Sequence, residues 1–116
     1  MKYDVAIIGA GPGGIFSAYE LTKLAPSLRV AVFEAGHSLE KRHCPIDGKK
    51  VKSCIGCKSC SIMSGFGGAG AFSDGKYNIT NDFGGTLYEY IGKQQALDLM
   101  HYVDAVSYTH LTLPTN

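Results

Sequence analysis

The chain has 116 residues, enough for one small domain, of which 45% are hydrophobic and 18% charged. Its formal net charge of +1 argues against a nucleic-acid partner, which usually requires a strongly basic surface. No apolar run approaches the ~20 residues that a membrane helix needs, and no targeting segment is recognisable. We therefore expect a cytoplasmic protein with neither a nucleic-acid nor a membrane partner.

The first 34 residues predict a strand, a helix and a second strand. Residues 3–8 and 28–33 are short apolar runs rich in β-branched side chains, which is typical of buried strands. Residues 15–24 have a helical pattern that should end before Pro26. Because the second run is apolar on both faces, it suits a parallel sheet. The sequence therefore predicts an α/β fold, beginning as an incomplete Rossmann-type βαβ domain.

Residues 9–14, named here the first glycine turn, have the pattern of a dinucleotide-binding loop. Gly9 allows a tight turn, Gly11 lets backbone approach a pyrophosphate, and Gly14 lets the helix pack on the strands. Free N–H groups at the helix start favour phosphate, and the Glu34 carboxylate can accept hydrogen bonds from ribose hydroxyls. The alternative is a structural turn that binds nothing. The predicted cofactor-binding residues are Gly9, Gly11, Pro12, Gly13, Gly14 and Glu34.

A second glycine cluster occupies residues 65–75. Clustered glycine suggests backbone that approaches a ligand closely, whereas the alternative is a tight turn between elements. Unhindered N–H groups and one cation would suit phosphate. The residues predicted to bind the cofactor here are Gly67, Gly68, Ala69, Gly70 and Lys76.

These segments together resemble a known group of proteins. The first glycine turn with Glu34 resembles the FAD-binding half of the glutathione-reductase-like flavoproteins. Residues 54–76, with a cysteine triplet followed by the second glycine cluster, resemble a bacterial family of FAD-dependent dehydrogenases whose substrates are mostly unassigned. The resemblance covers roughly residues 1–104.

The spacing of the glycines does not distinguish FAD from NAD, since the turn suits both cofactors equally. The resemblance is more specific about cofactor and function. It implies FAD as the cofactor, a small-molecule or electron-carrier substrate, and NAD(P)H as a candidate electron donor. Members of that family are several times longer than this chain. We therefore expect the N-terminal, FAD-binding portion of an FAD-dependent oxidoreductase.

The four cysteines, Cys44, Cys54, Cys57 and Cys60, leave several interpretations open. The triplet Cys54, Cys57 and Cys60 has two-residue gaps, which suit an iron–sulfur cluster. In the usual iron–sulfur run the fourth cysteine, with its proline, follows the triplet, whereas here Cys44-Pro45 precedes it. Four thiolates also suit structural zinc. A dithiol that exchanges electrons with flavin is a third hypothesis, and free thiols in a loop are the fourth.

The rest of the chain carries weaker predictions. Residues 35–52 should form a solvated basic loop with one helical turn near residues 38–42. The alternative is that the basic loop lies beside a pyrophosphate and neutralises its charge. Residues 77–80 have the pattern of a short strand. Thr86 and Glu89 have capping-box spacing, and the helix that follows should break at Gly92. In its second part Leu97, Met100 and Val103 should point inward.

Residues 106–116 look unlike the segment before them. Threonine and proline replace the apolar spacing of the helix, and the segment resembles a translated sequencing adapter. We expect a truncated domain over 1–105 and an artefactual tail over 106–116; the alternative is a strand, since Thr and Leu alternate.

Two alternative functions accompany the oxidoreductase hypothesis. One is a non-catalytic nucleotide-binding module with zinc held by the cysteines. The other is a truncated chain without function of its own. In the latter case Ile7, Val30 and Val32 would lie uncovered, and the isolated chain should aggregate or unfold partly.

Overall fold

The computed structural model of the chain describes residues 1–73 and 75–110. The chain divides into two compact units, Met1–Asp74 and Gly75–Asn116. The first unit contains a small parallel sheet and a long loop, and the second unit is helical.

The first unit begins with a βαβ unit. Strand β1 (Val5–Ile8), helix α1 (Pro12–Leu24) and strand β2 (Val30–Phe33) follow one another. The strands pair in parallel, with Val5 opposite Val30 and Ile8 opposite Phe33. The predicted α/β fold, an incomplete Rossmann-type βαβ domain, is confirmed.

Helix α1 begins at the glycine turn itself. Gly11 is its N-cap and Pro12 occupies its first turn, where a missing backbone N–H costs nothing. The helix therefore starts earlier than the apolar pattern indicated. It ends at Leu24, where the Ala25 N–H donates to the Leu21 carbonyl at 2.8 Å. This end agrees with the predicted stop before Pro26.

An ion pair connects Asp4 and Arg29, the residues that directly precede the two strands. The Arg29 Nε and Nη2 groups donate to the two Asp4 carboxylate oxygens, each at 3.1 Å. The Arg29 backbone N–H also donates to Asp4 Oδ2 at 2.9 Å. These bonds hold the pKa of the Asp4 carboxyl below its ordinary value, the Arg29 side chain having the largest effect.

The sheet is only partly covered. Ile8 is 83% exposed and Phe33 53% exposed, at the carboxyl ends of the strands. Val32 is exposed, as predicted, whereas Ile7 and Val30 are half-buried. Ile7 is not uncovered because its Cγ2 faces Gly14 of helix α1. Among the described residues the buried apolar positions are Ala10 and Ala96.

The loop after β2 contains two short 3₁₀ turns. The first, Leu39–Lys41, lies where a helical turn was predicted. The Asp47 carboxylate accepts the N–H groups of residues 49–51 at 2.8–2.9 Å and closes the next bend. A second 3₁₀ turn, Ala69–Phe72, ends the glycine-rich part of the loop.

The described residues of the second unit form a 3₁₀ turn, Asn81–Phe83, and two helices, α2 (Leu87–Ile91) and α3 (Lys93–His110). The predicted strand over residues 77–80 is wrong, because this segment pairs with no strand among the described residues. The break at Gly92 is confirmed, and its φ of +84° favours glycine. Thr86 is the N-cap of α2, but its side chain makes no capping hydrogen bond.

Helix α3 turns a mostly apolar side inward. Ala96 is fully buried, and Leu97, Met100 and Val103 are half-buried, as predicted. The helix continues through His110, so the expectation that the tail does not continue the helix is wrong for residues 106–110. Residues 111–116 lie outside the described residues, and the artefactual origin of the tail stays a prediction. No described helix combines the length and apolarity that crossing a bilayer requires.

Candidate dinucleotide-binding site

The first glycine turn joins the carboxyl end of β1 to the start of α1. Gly9 has a φ of +95°, a left-handed conformation that favours glycine. Its N–H donates to the Phe33 carbonyl at 2.6 Å, which ties the turn to the end of β2. The first N–H groups of α1 have no partner within the helix, and such groups, with the helix dipole, favour an anion.

Gly14 is where helix and strand approach most closely. A Cβ at this position would overlap the Gly9 carbonyl oxygen and lie 3.3 Å from Ile7 Cγ2. Any side chain would therefore push α1 away from β1. At Gly13, one residue earlier, an added Cβ would have no atom within 4 Å.

Glu34 fastens the turn to the loop that follows β2. Its Oε2 accepts the Ala10 N–H at 2.7 Å, and its Oε1 accepts the Gly36 N–H at 2.8 Å. These two bonds, the Ala10 bond foremost, hold the pKa of the Glu34 carboxyl below its ordinary value. Each carboxylate oxygen has a further lone pair, so the ribose contact stays a prediction that this geometry allows.

The second glycine cluster packs directly on the first glycine turn. The Gly67 N–H donates to the Ala10 carbonyl at 2.8 Å. A Cβ on Gly68 would lie 3.2 Å from both Gly11 Cα and Pro12 Cδ, and the φ of Gly68 is +63°. The structure thus brings together two segments that are more than 50 residues apart in the chain.

The other predicted residues of this cluster are placed differently. Ala69 and Gly70 begin the Ala69–Phe72 turn and are exposed. Lys76 belongs to the second compact unit and is also exposed. Their contacts with a cofactor stay predictions.

Arg42 contacts the second glycine cluster, which the sequence analysis did not foresee. It is 2% exposed, although its loop was predicted to be solvated. Its guanidinium donates to four backbone carbonyls, those of Ser61, Ile62, Phe66 and Gly68, at 2.6–2.8 Å. Nothing in the sequence separates this arginine from the neighbouring lysines, because its partners are carbonyls brought in by the fold.

A cleft of about 870 Å³ opens beside these elements. It lies beyond the carboxyl end of β2, where nucleotides bind in open parallel sheets, and its volume suits a cofactor. The cleft is lined by Glu34, Ala35, Gly36, His37, Cys57, Lys58, Ser59, Ser61, Met63, Ser64, Gly65 and Gly68.

The four cysteines line a second, smaller pocket of about 140 Å³. All four are exposed free thiols, and Cys57 lies in the walls of both pockets. Backbone N–H groups of Met63 and Ile62 lower the pKa of the Cys60 thiol, and the charge of Arg42 adds to this. In the described part of the chain no three His, Cys, Asp or Glu side chains stand in a metal-binding arrangement. The metal ligand set therefore stays a prediction.

Comparison with known proteins agrees with the fold. Residues 7–41 match the family model of an NAD(P)-binding Rossmann-like domain. An uncharacterized protein of Clostridium beijerinckii is 36% identical over 76 residues, which cover 66% of this chain and 14% of that protein. A thiamine thiazole synthase of Thermotoga maritima is 59% identical over 34 residues, which cover 29% of this chain and 13% of that enzyme.

The stretch that matches the family model covers the end of β1, helix α1, strand β2 and the start of the loop after β2. The chain spans about one seventh of the length of each relative. No solved structure gives a significant match. The N-terminal part of this chain is a nucleotide-binding, Rossmann-like fold.

Proposed function

We propose that this chain holds the ADP half of FAD and is the N-terminal cofactor-binding portion of an FAD-dependent oxidoreductase. The observation that carries the proposal is the joint anchoring of Ala10. Its N–H is held by Glu34 and its carbonyl by Gly67, so the first glycine turn is fixed from both sides beside an open cleft.

The residues present fit an adenine dinucleotide. The start of α1 offers N–H groups to a diphosphate, and Glu34 stands at the end of β2, where ribose hydroxyls bind in such folds. Bound FAD would supply two-electron redox chemistry, while the protein supplies binding and orientation. The preference for FAD over NAD is supported by the resemblance of residues 54–76.

Flavin content of the full-length protein tests this proposal. We expect a yellow protein whose flavin absorbance dithionite bleaches. A Gly11→Val variant should lose the flavin, because its side chain would fill the space between Gly11 and Gly68, where Cβ and Cα would be 4.0 Å apart. Thr22→Val, at an exposed position of α1, is the control and should stay yellow. A colourless wild-type protein that binds NADH instead would contradict the choice of FAD.

We also propose NAD(P)H as the electron donor of the full-length oxidoreductase. Anaerobic mixing of the yellow protein with NADH or NADPH should bleach the flavin absorbance. No bleaching by either nucleotide, with normal bleaching by dithionite, would contradict this part of the proposal.

A second candidate is a non-catalytic nucleotide-binding module with zinc, favoured by the four cysteines that share one pocket. It predicts a colourless protein with about one zinc ion per chain, which a Cys54→Ser, Cys57→Ser double variant should lose. An iron–sulfur cluster at the same pocket would give iron and sulfide after anaerobic purification. Protein with none of these elements would contradict both metal hypotheses.

Expression of the isolated 116-residue chain would show whether it can fold and function alone. Exposed Ile8, Val32 and Phe33 leave apolar surface on the small sheet. We expect this chain to aggregate or unfold partly when it is expressed by itself. A sharp cooperative melt would contradict that expectation.

A further inference from the structure

Arg42 joins two stretches of backbone that lie on either side of residues 63–65. Its Nε and Nη2 groups donate to the carbonyls of Ser61 and Ile62, at 2.8 Å and 2.7 Å. Its Nη1 group donates to Phe66 and Gly68, at 2.6 Å and 2.8 Å. The guanidinium carbon lies 4.8 Å from the centre of the Phe72 ring. One buried side chain therefore fixes the whole of residues 61–68.

These carbonyls flank the contact with the first glycine turn. Gly67, between Phe66 and Gly68, donates its N–H to the Ala10 carbonyl. Gly68 then packs on Gly11 and Pro12 at the start of α1. Residues 61–68 contain no helix or strand, so their placement depends on these individual bonds.

We propose that Arg42 is a positioning residue for the diphosphate of the bound dinucleotide, acting through residues 66–68 and making no ligand contact of its own. By holding those residues against Gly11 and Pro12, it shapes the wall beside the N-terminus of α1. The inference rests on the proposed dinucleotide site. It assigns a positioning role to a residue of the polar loop, which lies outside the glycine pattern.

The geometry requires arginine. A guanidinium presents five N–H donors in a rigid plane, whereas a lysine ammonium presents three donors around one point. Lysine would keep the charge but cannot reach four carbonyls on both sides of the loop. Arg42→Lys should therefore behave like Arg42→Met. A role that depends on charge alone would instead be rescued by lysine.

The test compares ADP with adenosine on full-length protein freed of its cofactor, by calorimetry. In Arg42→Lys and Arg42→Met we expect ADP affinity to fall about tenfold or more, since bonds to a charged group are lost. Adenosine affinity should change less than about twofold. The matched controls, Arg29→Lys and Arg29→Met, alter an exposed arginine bonded to Asp4 and should leave both affinities unchanged.

Three results of this comparison would overturn the proposal. Equal losses for ADP and adenosine would indicate general damage to the fold. Full ADP affinity in Arg42→Lys would indicate a charge effect, and full affinity in both variants would indicate no role.

A second variant covers the case in which the Arg42 variants do not fold. Gly68→Ala leaves the arginine in place but pushes residue 68 against Gly11 and Pro12. It should lose ADP affinity selectively, and wild-type ADP affinity in this variant would overturn the proposal.

Failure of the proposed function has a different signature. If the wild-type protein binds neither ADP nor adenosine, the dinucleotide site itself is wrong, and Arg42 has no ligand to position. If the wild-type protein binds both ligands and its ADP affinity exceeds its adenosine affinity, the site stands, and the variants alone decide the role of Arg42.

Hydrogen exchange at the Gly67 amide gives a second measurement. We expect it to be slow in the wild type, about tenfold or more faster in Arg42→Lys, and unchanged in Arg29→Lys. Unchanged exchange in Arg42→Lys would overturn the proposal.

Discussion

The first glycine turn and residues 65–68 meet at Ala10 but are held in different ways. The first lies between β1 and α1, so a strand and a helix fix both of its ends. Residues 65–68 lie in a loop without strands and are held by one arginine and by a few backbone bonds. The conformation of the first region can be predicted from local sequence because regular structure fixes it. The conformation of the second region depends on a side chain that is distant in the sequence.

The steric demands of the two regions also differ. In the first, Gly14 is required because backbone of helix and strand approaches too closely for a side chain. In the second, Gly65 has a φ of +126°, and a Cβ there would lie 2.7 Å from both Arg42 Cδ and the His37 carbonyl oxygen. The first constraint involves rigid elements, and the second involves a side chain and a loop that can adjust in part.

The largest effect is expected at the helix–strand approach. Gly14→Ala should lower the free energy of unfolding by about 3 kcal/mol or more, because rigid backbone cannot relax around the added carbon. Gly13→Ala, in the same turn of α1, should be neutral or slightly stabilising, since alanine favours helix. Urea unfolding measures the stability of both variants. Equal stabilities of the two variants would remove the steric account of the first region.

A smaller loss is expected in the second region. Gly65→Ala should lower the free energy of unfolding by about 2 kcal/mol, from an unfavourable φ and a crowded Cβ. Gly70→Ala is the control, because a Cβ there meets nothing within 4 Å and its φ lies outside the left-handed region. Thermal melts of the two variants measure the difference in their stability. A loss as large as that of Gly14→Ala would erase the proposed difference between the regions.

Glu34→Gln tests the carboxylate that anchors Ala10. An amide places an N–H₂ group against one of two backbone donors, so one hydrogen bond is lost. We expect ADP affinity to fall about tenfold, whereas Glu40→Gln, in an exposed 3₁₀ turn, should have little effect. Calorimetry with ADP measures both, and unchanged affinity in Glu34→Gln would contradict the anchoring role.

The same carboxylate has an expected pH dependence. The folded protein holds the pKa of Glu34 below its ordinary value, which is about 4.3 in an unfolded chain. The stability that Glu34 contributes is therefore fully present above that pH. It is lost as the pH falls through the folded-state pKa. Acid unfolding of Glu34→Gln should be shallower than that of the wild type in this range, and parallel curves would contradict the assignment.

The smallest effect is expected at the charged pair before the strands, which lies outside both glycine regions. Asp4→Asn should lower the melting temperature slightly, because exposed ion pairs contribute little. The difference should shrink in 1 M NaCl as the charges are screened. The lowered pKa of Asp4 means that its contribution disappears as the pH falls through that value. A large, salt-independent change would show that the pair matters more than its exposure implies.

Errors in the sequence predictions have physical causes. Residues 77–80 alternate like a strand, but a strand requires a partner that supplies the other half of the hydrogen bonds. Residues 106–110 lack an apolar period, yet they continue the 18-residue helix α3, since a helix once formed extends at low cost. The local pattern of these two segments shows neither whether a strand partner exists nor how far the preceding helix extends.

The sequence alone determined the βαβ unit and its glycine turn, because each depends on residues close in the chain. Strand period, helix stop and turn glycines are local properties that short-range sterics impose. The tertiary structure decided the rest of the site. It placed residues 67–68 on Gly11, turned Glu34 onto Ala10, and buried Arg42 among four carbonyls. These contacts join residues 19–57 positions apart, and only the folded chain determines which hydrogen-bond partners meet.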